Sequence, residues 1–434
     1  MSGVPLLILA FFVIFFAFLF IGVPITFSLG TGGLVILLIS GAKMSLLIKS
    51  MFSAFESFTL LAVFLFTLMG VIYQKTGLAS LLTDALKPII GGKKGGLAMV
   101  VTFASALFGA LTGSANATCA TFSKIFGNEM VENGYPKDWT AAVIASASPL
   151  GSLIPPSITC IVLGVAMGLS IGTLFIVDLS MGLFTLFGLL LVISWISKKR
   201  NYGGSNQIYT RREKWIAILR MLPLLFVPVV VIGGMYTGIF TATEGGAIGS
   251  TLSIILALCY RQMTWNKFHE IMIDTCKTTS VVMLLVAASY IVSYVMSLTG
   301  IMNYFVTFMV AISVNNAIWG LLFLLLMLLI MGCFIDLIVL CIVLAPTAAV
   351  VLGPLGINPY HVAAIFLIGS LIGIITPPVG MALFISCSSL GVKMEQISKQ
   401  IIPFVILYII ITVLIILFPE ITLWLPRLLG MALS

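Results

Sequence analysis

The chain has 434 residues, of which 61% are hydrophobic and 8% charged, and its formal net charge is +8. Soluble domains carry about 25% charged residues, so this composition excludes a soluble enzyme or binding domain and describes a polytopic protein embedded in a lipid bilayer. The basic residues lie in short loops between apolar runs, the pattern of topology signals and not of a nucleic-acid surface.

Met1-Ser2-Gly3-Val4 has no basic run ahead of the first apolar stretch, which is therefore expected to be a retained helix rather than a signal peptide. Apolar runs of membrane length cover 4–21, 25–42, 58–73, 139–168, 171–197, 216–236, 245–260, 278–299, 360–388 and 401–418. Amphipathic stretches lie at 44–57, 76–90, 262–276 and 303–316. Two segments behave differently. At 96–132 and 317–352 the apolar run is interrupted midway, by Thr112-Gly113-Ser114-Ala115-Asn116 and by Gly332-Cys333-Phe334-Ile335-Asp336, which leaves arms too short to cross. Both read as re-entrant helical hairpins with tips near the bilayer midplane. After each comes a span with a double proline, Pro155-Pro156 in 139–168 and Pro377-Pro378 in 360–388. Proline removes a backbone donor and blocks the carbonyl of the preceding turn, so each pair frees carbonyl oxygens at membrane depth. Such breaks survive where they are buried in protein or line a cavity.

The loop 198–215 contains Lys198, Lys199, Arg200, Arg211, Arg212 and Lys214 and belongs on the cytoplasmic side. Counting spans from that loop, with neither hairpin crossing, places the termini outside. The basic residues of 75–94, Lys137, Arg261, Lys267, Lys277, Lys393 and Lys399 then fall inside, and Lys43, Lys49 and Arg427 outside. On this count the first hairpin opens from the cytoplasm and the second from the opposite face. A trace of the repeat survives at a constant offset of 222: Ala141-Ala142 and Ala363-Ala364, Ser148 and Ser370, Gly151 and Gly373, and the two proline pairs. The expected fold is an all-α polytopic membrane protein of two inverted structural repeats, each with a re-entrant hairpin and a broken transmembrane helix. Their bounds are 1–200 and 214–434, with 201–213 as a basic cytoplasmic linker.

The strings TGSANATCATFSKIFGNEMVENGYPKDWTAAVIASASPLGSLIPPS, GIFTATEGGAIGS, GCFIDLIVLCIVLAPTAAVVLGPLG and GIITPPVGMALF, with IGVPITFSLG before them, resemble the large membrane subunit of tripartite ATP-independent periplasmic (TRAP) transporters. The resemblance runs nearly end to end and departs at Ala242, where the family pattern has proline. It implies a sodium-driven elevator transporter of organic acids in the bacterial inner membrane. It also implies two partners: a small four-helix membrane subunit and a periplasmic substrate-binding protein. Sialic acid, a C4-dicarboxylate and other sugar acids are all compatible substrates.

A hairpin tip offers carbonyls from the end of its first arm to a cation and N–H groups from the start of its second arm to an anion. Two sodium ions are expected, on oxygen ligands as a hard cation requires. The first is assigned to Gly113 and Ser114 facing Ser148, Gly151 and Pro155, and the second to Gly332 and Phe334 with Gly373 and Thr376. Substrate contacts are assigned to Ser114, Asn116, Thr118, Pro156, Ser157, Asp336 and Pro378. The competing reading of isolated Gly and Ser is close helix packing, and that of Asp336 is a cap on the second arm. Asp178, Glu244 and Asp336 are the acids within spans, and Glu244 reads as a capping residue. Lys124 reads as a snorkelling side chain. His269 and His361 form no metal-spaced pair, the seven cysteines show no metal spacing, and no catalytic set is evident, so no enzyme is expected. A channel would need a continuous polar path. A stand-alone sodium- or proton-coupled anion carrier of the same architecture is the closer alternative.

Overall fold

The computed structural model describes residues 4–41, 44–53, 55–92, 94–203, 209–313, 316–431 and 433. Lys43 and part of the linker, 204–208, lie outside them. Among the described residues the regular structure is entirely helical. Among these residues six helices are long and apolar enough to cross a membrane, and a bent pair adds a seventh.

The first half comprises α1 (Val4–Phe20), α2 (Ile25–Ile39), α3 (Met44–Ser53), α4 (Leu61–Lys75), α5 (Leu78–Ile90), α6 (Gly96–Thr112), α7 (Ala115–Glu132), α8 (Lys137–Ala147), α9 (Leu150–Leu153), α10 (Ile158–Met167) and α11 (Ile171–Arg200). The second comprises α12 (Arg211–Tyr236), α13 (Ala242–Cys259), α14 (Trp265–Thr299), α15 (Ile301–Ser313), α16 (Ala317–Gly332), α17 (Leu337–Val343), α18 (Ala345–Leu352), α19 (Pro359–Gly373), α20 (Met381–Leu390), α21 (Met394–Leu417) and α22 (Glu420–Leu428). Both expected hairpins are present as helix, break and helix, α6–α7 and α16–α18. Each is followed by a helix broken at its proline pair, and in the first half the chain bends by 48° between α8–α9 and α10.

Three elements differ from the sequence reading, each for a local reason. The amphipathic stretch 262–276 and the span 278–299 are one helix of 35 residues, α14. Neither proline nor glycine occurs between Thr264 and Gly300, so nothing stops it. The second arm of the second hairpin is split at Leu344, because Pro346 occupies the first turn of α18 and cannot continue α17. After α21, Pro419 opens a further short helix, α22, that hydropathy alone did not reveal. At Ala242 the expected helix break is intact. Thr241 and Glu244 form a reciprocal capping box, and Ala242 takes the first helical position, which alanine and proline both suit.

The helices sort into two packed bodies. In one, α4 lies along α13 and α14, with α2, α3, α5 and α12 around them. Glycines let α13 approach: a Cβ on Gly246 would stand 2.9 Å from Leu65 Cβ, and one on Gly249 2.8 Å from Met69 Sδ. The other body holds both hairpins, both broken helices, α11, α21 and α22, and here the two halves interlock. α7 packs on α20 and α8 on α21. The Tyr408 hydroxyl donates to the Ser146 carbonyl at 2.9 Å, and Gln400 Nε2 to Asp138 Oδ2 at 2.8 Å.

The orientation given by the charges is open to a direct check. In a background lacking the exposed Cys259 and Cys276, Lys267→Cys and Lys399→Cys are expected to react with an impermeant maleimide only in inside-out vesicles. Lys49→Cys and Arg427→Cys are expected to react only in right-side-out vesicles.

Candidate functional site

The first tip is fastened to the break behind it. α6 ends at Gly113, which has φ +60 and leaves no room for a side chain: a Cβ would stand 2.8 Å from both Ile158 N and the Pro156 carbonyl oxygen. The Gly113 carbonyl accepts from Ile158 N–H at 3.0 Å. Ser152 Oγ accepts from Ala115 N–H at 3.0 Å, and Ser114 caps α7 by accepting from Ala117 N–H at 3.3 Å. Deeper in the hairpin, α6 meets α9 backbone to backbone, where a Cβ on Gly109 would fall 2.5 Å from Gly151 Cα. Thr118 donates to the Ser114 carbonyl at 2.8 Å and borders Gly151.

The second tip repeats this logic with different side chains. α16 ends at Gly332, and a Cβ on Gly373 would fall 2.5 Å from Gly332 Cα. Asp336 caps α17 by accepting from Ile338 N–H at 2.9 Å, so the capping interpretation of this acid describes its contact. The Thr376 hydroxyl donates to the Ile372 carbonyl at 2.7 Å, which leaves its lone pairs directed elsewhere. At Gly380, with φ +41, the Ile374 and Thr376 carbonyl oxygens each come within 2.9 Å of where a Cβ would stand.

Both tips open on one cavity of about 540 Å³. Of the residues assigned from sequence, Gly113, Ser114, Asn116, Gly332, Phe334 and Asp336 line it. Gly151, Pro156, Ser157 and Thr118 sit behind the first tip and Gly373 behind the second, so they shape the tips without facing the cavity. Ser148, Pro155, Thr376 and Pro378 also lie outside its lining. Ser148 is buried and donates to the Ala145 carbonyl at 2.8 Å.

The opposite wall comes from the other body and was not anticipated. Thr67, Gly70, Val71 and Gln74 of α4 and Thr278 and Val282 of α14 line it. A Cβ on Gly70 would fall 2.8 Å from Thr112 Cα, so α4 touches the end of α6 directly. Gln74 Nε2 donates to Thr121 Oγ1 of α7 at 2.8 Å and links the two bodies at the cavity rim. In the sequence these are single polar or small residues within apolar spans, and nothing but their helical spacing on α4 marks a shared face.

The cavity lining includes one carboxylate, Asp336, and no lysine or arginine. An anion entering it would meet helix N-termini and amide or hydroxyl groups, with the buried Asn116 Oδ1 left without a hydrogen-bond partner. Among the described residues no group of three or more His, Cys, Asp or Glu side chains converges to hold a metal ion. A cation at the tips would rest on carbonyl and hydroxyl oxygens, and backbone carbonyls border several of the glycines there: Pro156 at Gly113 and Ser114 at Gly151 in the first, Ser370 at Gly332 and Ile374 and Thr376 at Gly380 in the second. The remaining intramembrane acids stand elsewhere. Glu244 closes its capping box on the surface of α13 and Asp178 is buried in α11. Lys124 is exposed.

Comparison with known proteins gives the same frame. The profile of the tripartite ATP-independent periplasmic transporter DctM component matches residues 12–421. The C4-dicarboxylate TRAP transporter large permease protein DctM of Pseudomonas aeruginosa is 32% identical over 408 residues, 93% of this chain and 95% of that protein. The sialic acid TRAP transporter large permease protein SiaM of Vibrio cholerae is 30% identical over 412 residues, 94% of this chain and 96% of that one. In fold, the crystal structure of the Alcanivorax borkumensis YdaH transporter matches with a TM-score of 0.62 at 14% identity, covering 85% of this chain and 86% of that one.

The glycine contacts behind the tips predict a graded response. Gly151→Ala and Gly373→Ala are expected to destabilise the detergent-solubilised protein by about 1 to 3 kcal/mol, as overpacking of a backbone contact does. Gly233→Ala, which has nothing within 4 Å of its added methyl, is expected to leave the thermal midpoint unchanged or slightly raised.

Proposed function

We propose, for a chain that belongs to the tripartite ATP-independent periplasmic transporter family as its DctM component, that it is the large membrane subunit of a sodium-coupled importer of an organic acid. In this reading the acid is delivered by a periplasmic binding protein, and a small four-helix membrane subunit completes the carrier. The observation that carries the proposal is the pair of hairpin tips that face one cavity, each backed by a broken helix and by a concentration of backbone oxygens. The substrate class follows from the relatives, whose names specify a C4-dicarboxylate and sialic acid. In this reading, with no lysine or arginine among the described residues that line the cavity, carboxylate recognition falls to helix N-termini and to Ser114 and Asn116.

Two sodium sites, one at each tip, supply the coupling. The first uses Gly113, Ser114, Ser148, Gly151 and Pro155, and the second Gly332, Phe334, Gly373 and Thr376. Sodium orders the tips and with them the anion site, so the loaded carrier is favoured over the half-loaded one. Each charge that crosses the full membrane potential contributes roughly 2.3 kcal/mol per 100 mV, enough for inward sodium movement to drive accumulation of an anion. The halves 1–200 and 214–434, joined by the basic segment 201–213, are the inverted repeats. The body with the hairpins moves as an elevator against the body built on α4, α13 and α14.

Uptake into proteoliposomes, with the small subunit and a cognate binding protein, tests the assignment against a panel of organic acids. A sodium gradient and the binding protein are both expected to be required. Uptake of free substrate without the binding protein would instead assign a stand-alone carrier. Ser114→Ala and Thr376→Ala are expected to raise the sodium concentration for half-maximal uptake several-fold, and unchanged sodium activation in both would remove these hydroxyls from the sites. Movement between the bodies is checked with Gln74→Cys/Thr121→Cys in a cysteine-free background. A short bifunctional thiol reagent is expected to abolish uptake and a reducible one to allow recovery, whereas full uptake in the bridged protein contradicts an elevator.

A further inference from the structure

A second crevice lies away from the cavity, where the end of α5, the start of α6 and the end of α11 meet. It encloses about 550 Å³ and is lined by Ile89, Ile90, Lys94, Met99, Ser194 and Lys198. Its two lysines are placed by the backbone. Gly95, with φ +73, abuts Ser197 so closely that an added Cβ would stand 2.7 Å from Ser197 Cβ. Residues 94 and 198, each one step from this contact, are thereby held beside one another. Lys94 Nζ donates to Asn201 Oδ1, at a residue in the left-handed region with φ 56, and keeps further donors free. No acid lines the crevice, and neither lysine belongs to an ion pair found among the described residues. The rest of the wall, Ile89, Ile90 and Met99, is apolar. On the same turn of α11, Trp195 is 62% exposed with Lys199 Nζ 5.1 Å from its ring centroid, an arrangement typical of the headgroup level of a bilayer.

We propose that this crevice binds an anionic phospholipid, whose phosphate lies between Lys94 and Lys198 within reach of the Ser194 hydroxyl and whose acyl chain runs over Ile89, Ile90 and Met99. The mixture of groups selects this occupant. A small soluble anion gains nothing from the apolar wall, and a zwitterionic lipid, with its own positive charge, gains less from two adjacent ammonium groups. The crevice also spans the seam between the two bodies, because α5 belongs to one and α6 and α11 to the other. A lipid seated there binds this arrangement of the bodies and stabilises it relative to any in which α5 and α11 separate.

Native mass spectrometry of the full chain, released from micelles doped with dioleoylphosphatidylglycerol or dioleoylphosphatidylcholine, tests the site. The unmodified protein is expected to retain phosphatidylglycerol in preference to phosphatidylcholine. Lys94→Gln/Lys198→Gln is expected to weaken that retention about thirtyfold, the combined effect of two basic groups near a headgroup. Lys94→Arg/Lys198→Arg should restore it, and Lys277→Gln/Lys399→Gln, which removes the same charge elsewhere, should leave it intact. Undiminished retention in the Lys94/Lys198 glutamine pair, or an equal loss in the Lys277/Lys399 control, overturns the proposal. Displacement of the lipid by inorganic phosphate does so as well, since the lysines would then serve a free anion.

Discussion

The close approach of backbone to backbone at the paired glycines is the contact on which the rest of the arrangement depends. Gly109 meets Gly151, and Gly332 meets Gly373, at separations that leave no space for a methyl group. A hairpin that stops within the membrane has helix ends whose carbonyls and N–H groups find no partner in lipid, so its tip must rest against protein or a water-lined cavity. The glycine contacts draw each first arm onto a broken helix until the two sets of freed backbone groups lie together. At the first tip this produces direct satisfaction, Gly113 carbonyl to Ile158 N–H and Ser152 hydroxyl to Ala115 N–H. At the second the Ile374 carbonyl accepts from Ala382 N–H at 3.0 Å, with the Thr376 carbonyl close by at Gly380.

The two tips are therefore equivalent in plan and unequal in finish. The first is tied into its break by hydrogen bonds from both sides. The second has an acid for its cap, a half-exposed Phe334 reaching towards Phe16 of α1, and a second arm divided at Leu344. Fewer cross-links and an interrupted arm give it less to resist displacement, whereas the first tip is also contacted by Gly70 of α4 and flanked by the Gln74–Thr121 bond. Nearby, Lys87 of α5 pairs with Glu129 of α7 at 2.8 Å and Lys75 of α4 with Asp274 of α14 at 2.6 Å. The Lys87–Glu129 pair thus joins the two bodies, whereas the Lys75–Asp274 pair lies within one of them.

The sequence disclosed the features that proline and glycine write locally. The hairpin tips at 112–116 and 332–336 and the breaks at Pro155-Pro156 and Pro377-Pro378 were legible because each interrupts an apolar run with residues that a continuous helix resists. The far wall of the cavity was not legible. Thr67, Gln74 and Thr278 come from spans of ordinary length and hydropathy, and only packing turns them towards the tips. Side-chain direction likewise separated residues that are neighbours in sequence: Asn116 faces the cavity, while Thr118 turns back to the Ser114 carbonyl. The division of α17 from α18 is written in Pro346, and the continuity of α14 is masked in the sequence by a change from polar to apolar character where the backbone has no break.

That unbroken helix has a mechanical consequence. Its 35 residues extend about 52 Å at 1.5 Å per residue, against a hydrocarbon core of about 30 Å. The polar residues Lys267, His269, Glu270, Asp274 and Lys277 all fall in its first part, the end suited to water. Directly after them, the same rod presents Thr278 and Val282 to the cavity. Because nothing breaks the helix between them, the charged end and the cavity wall are parts of one rigid element, and neither shifts without the other.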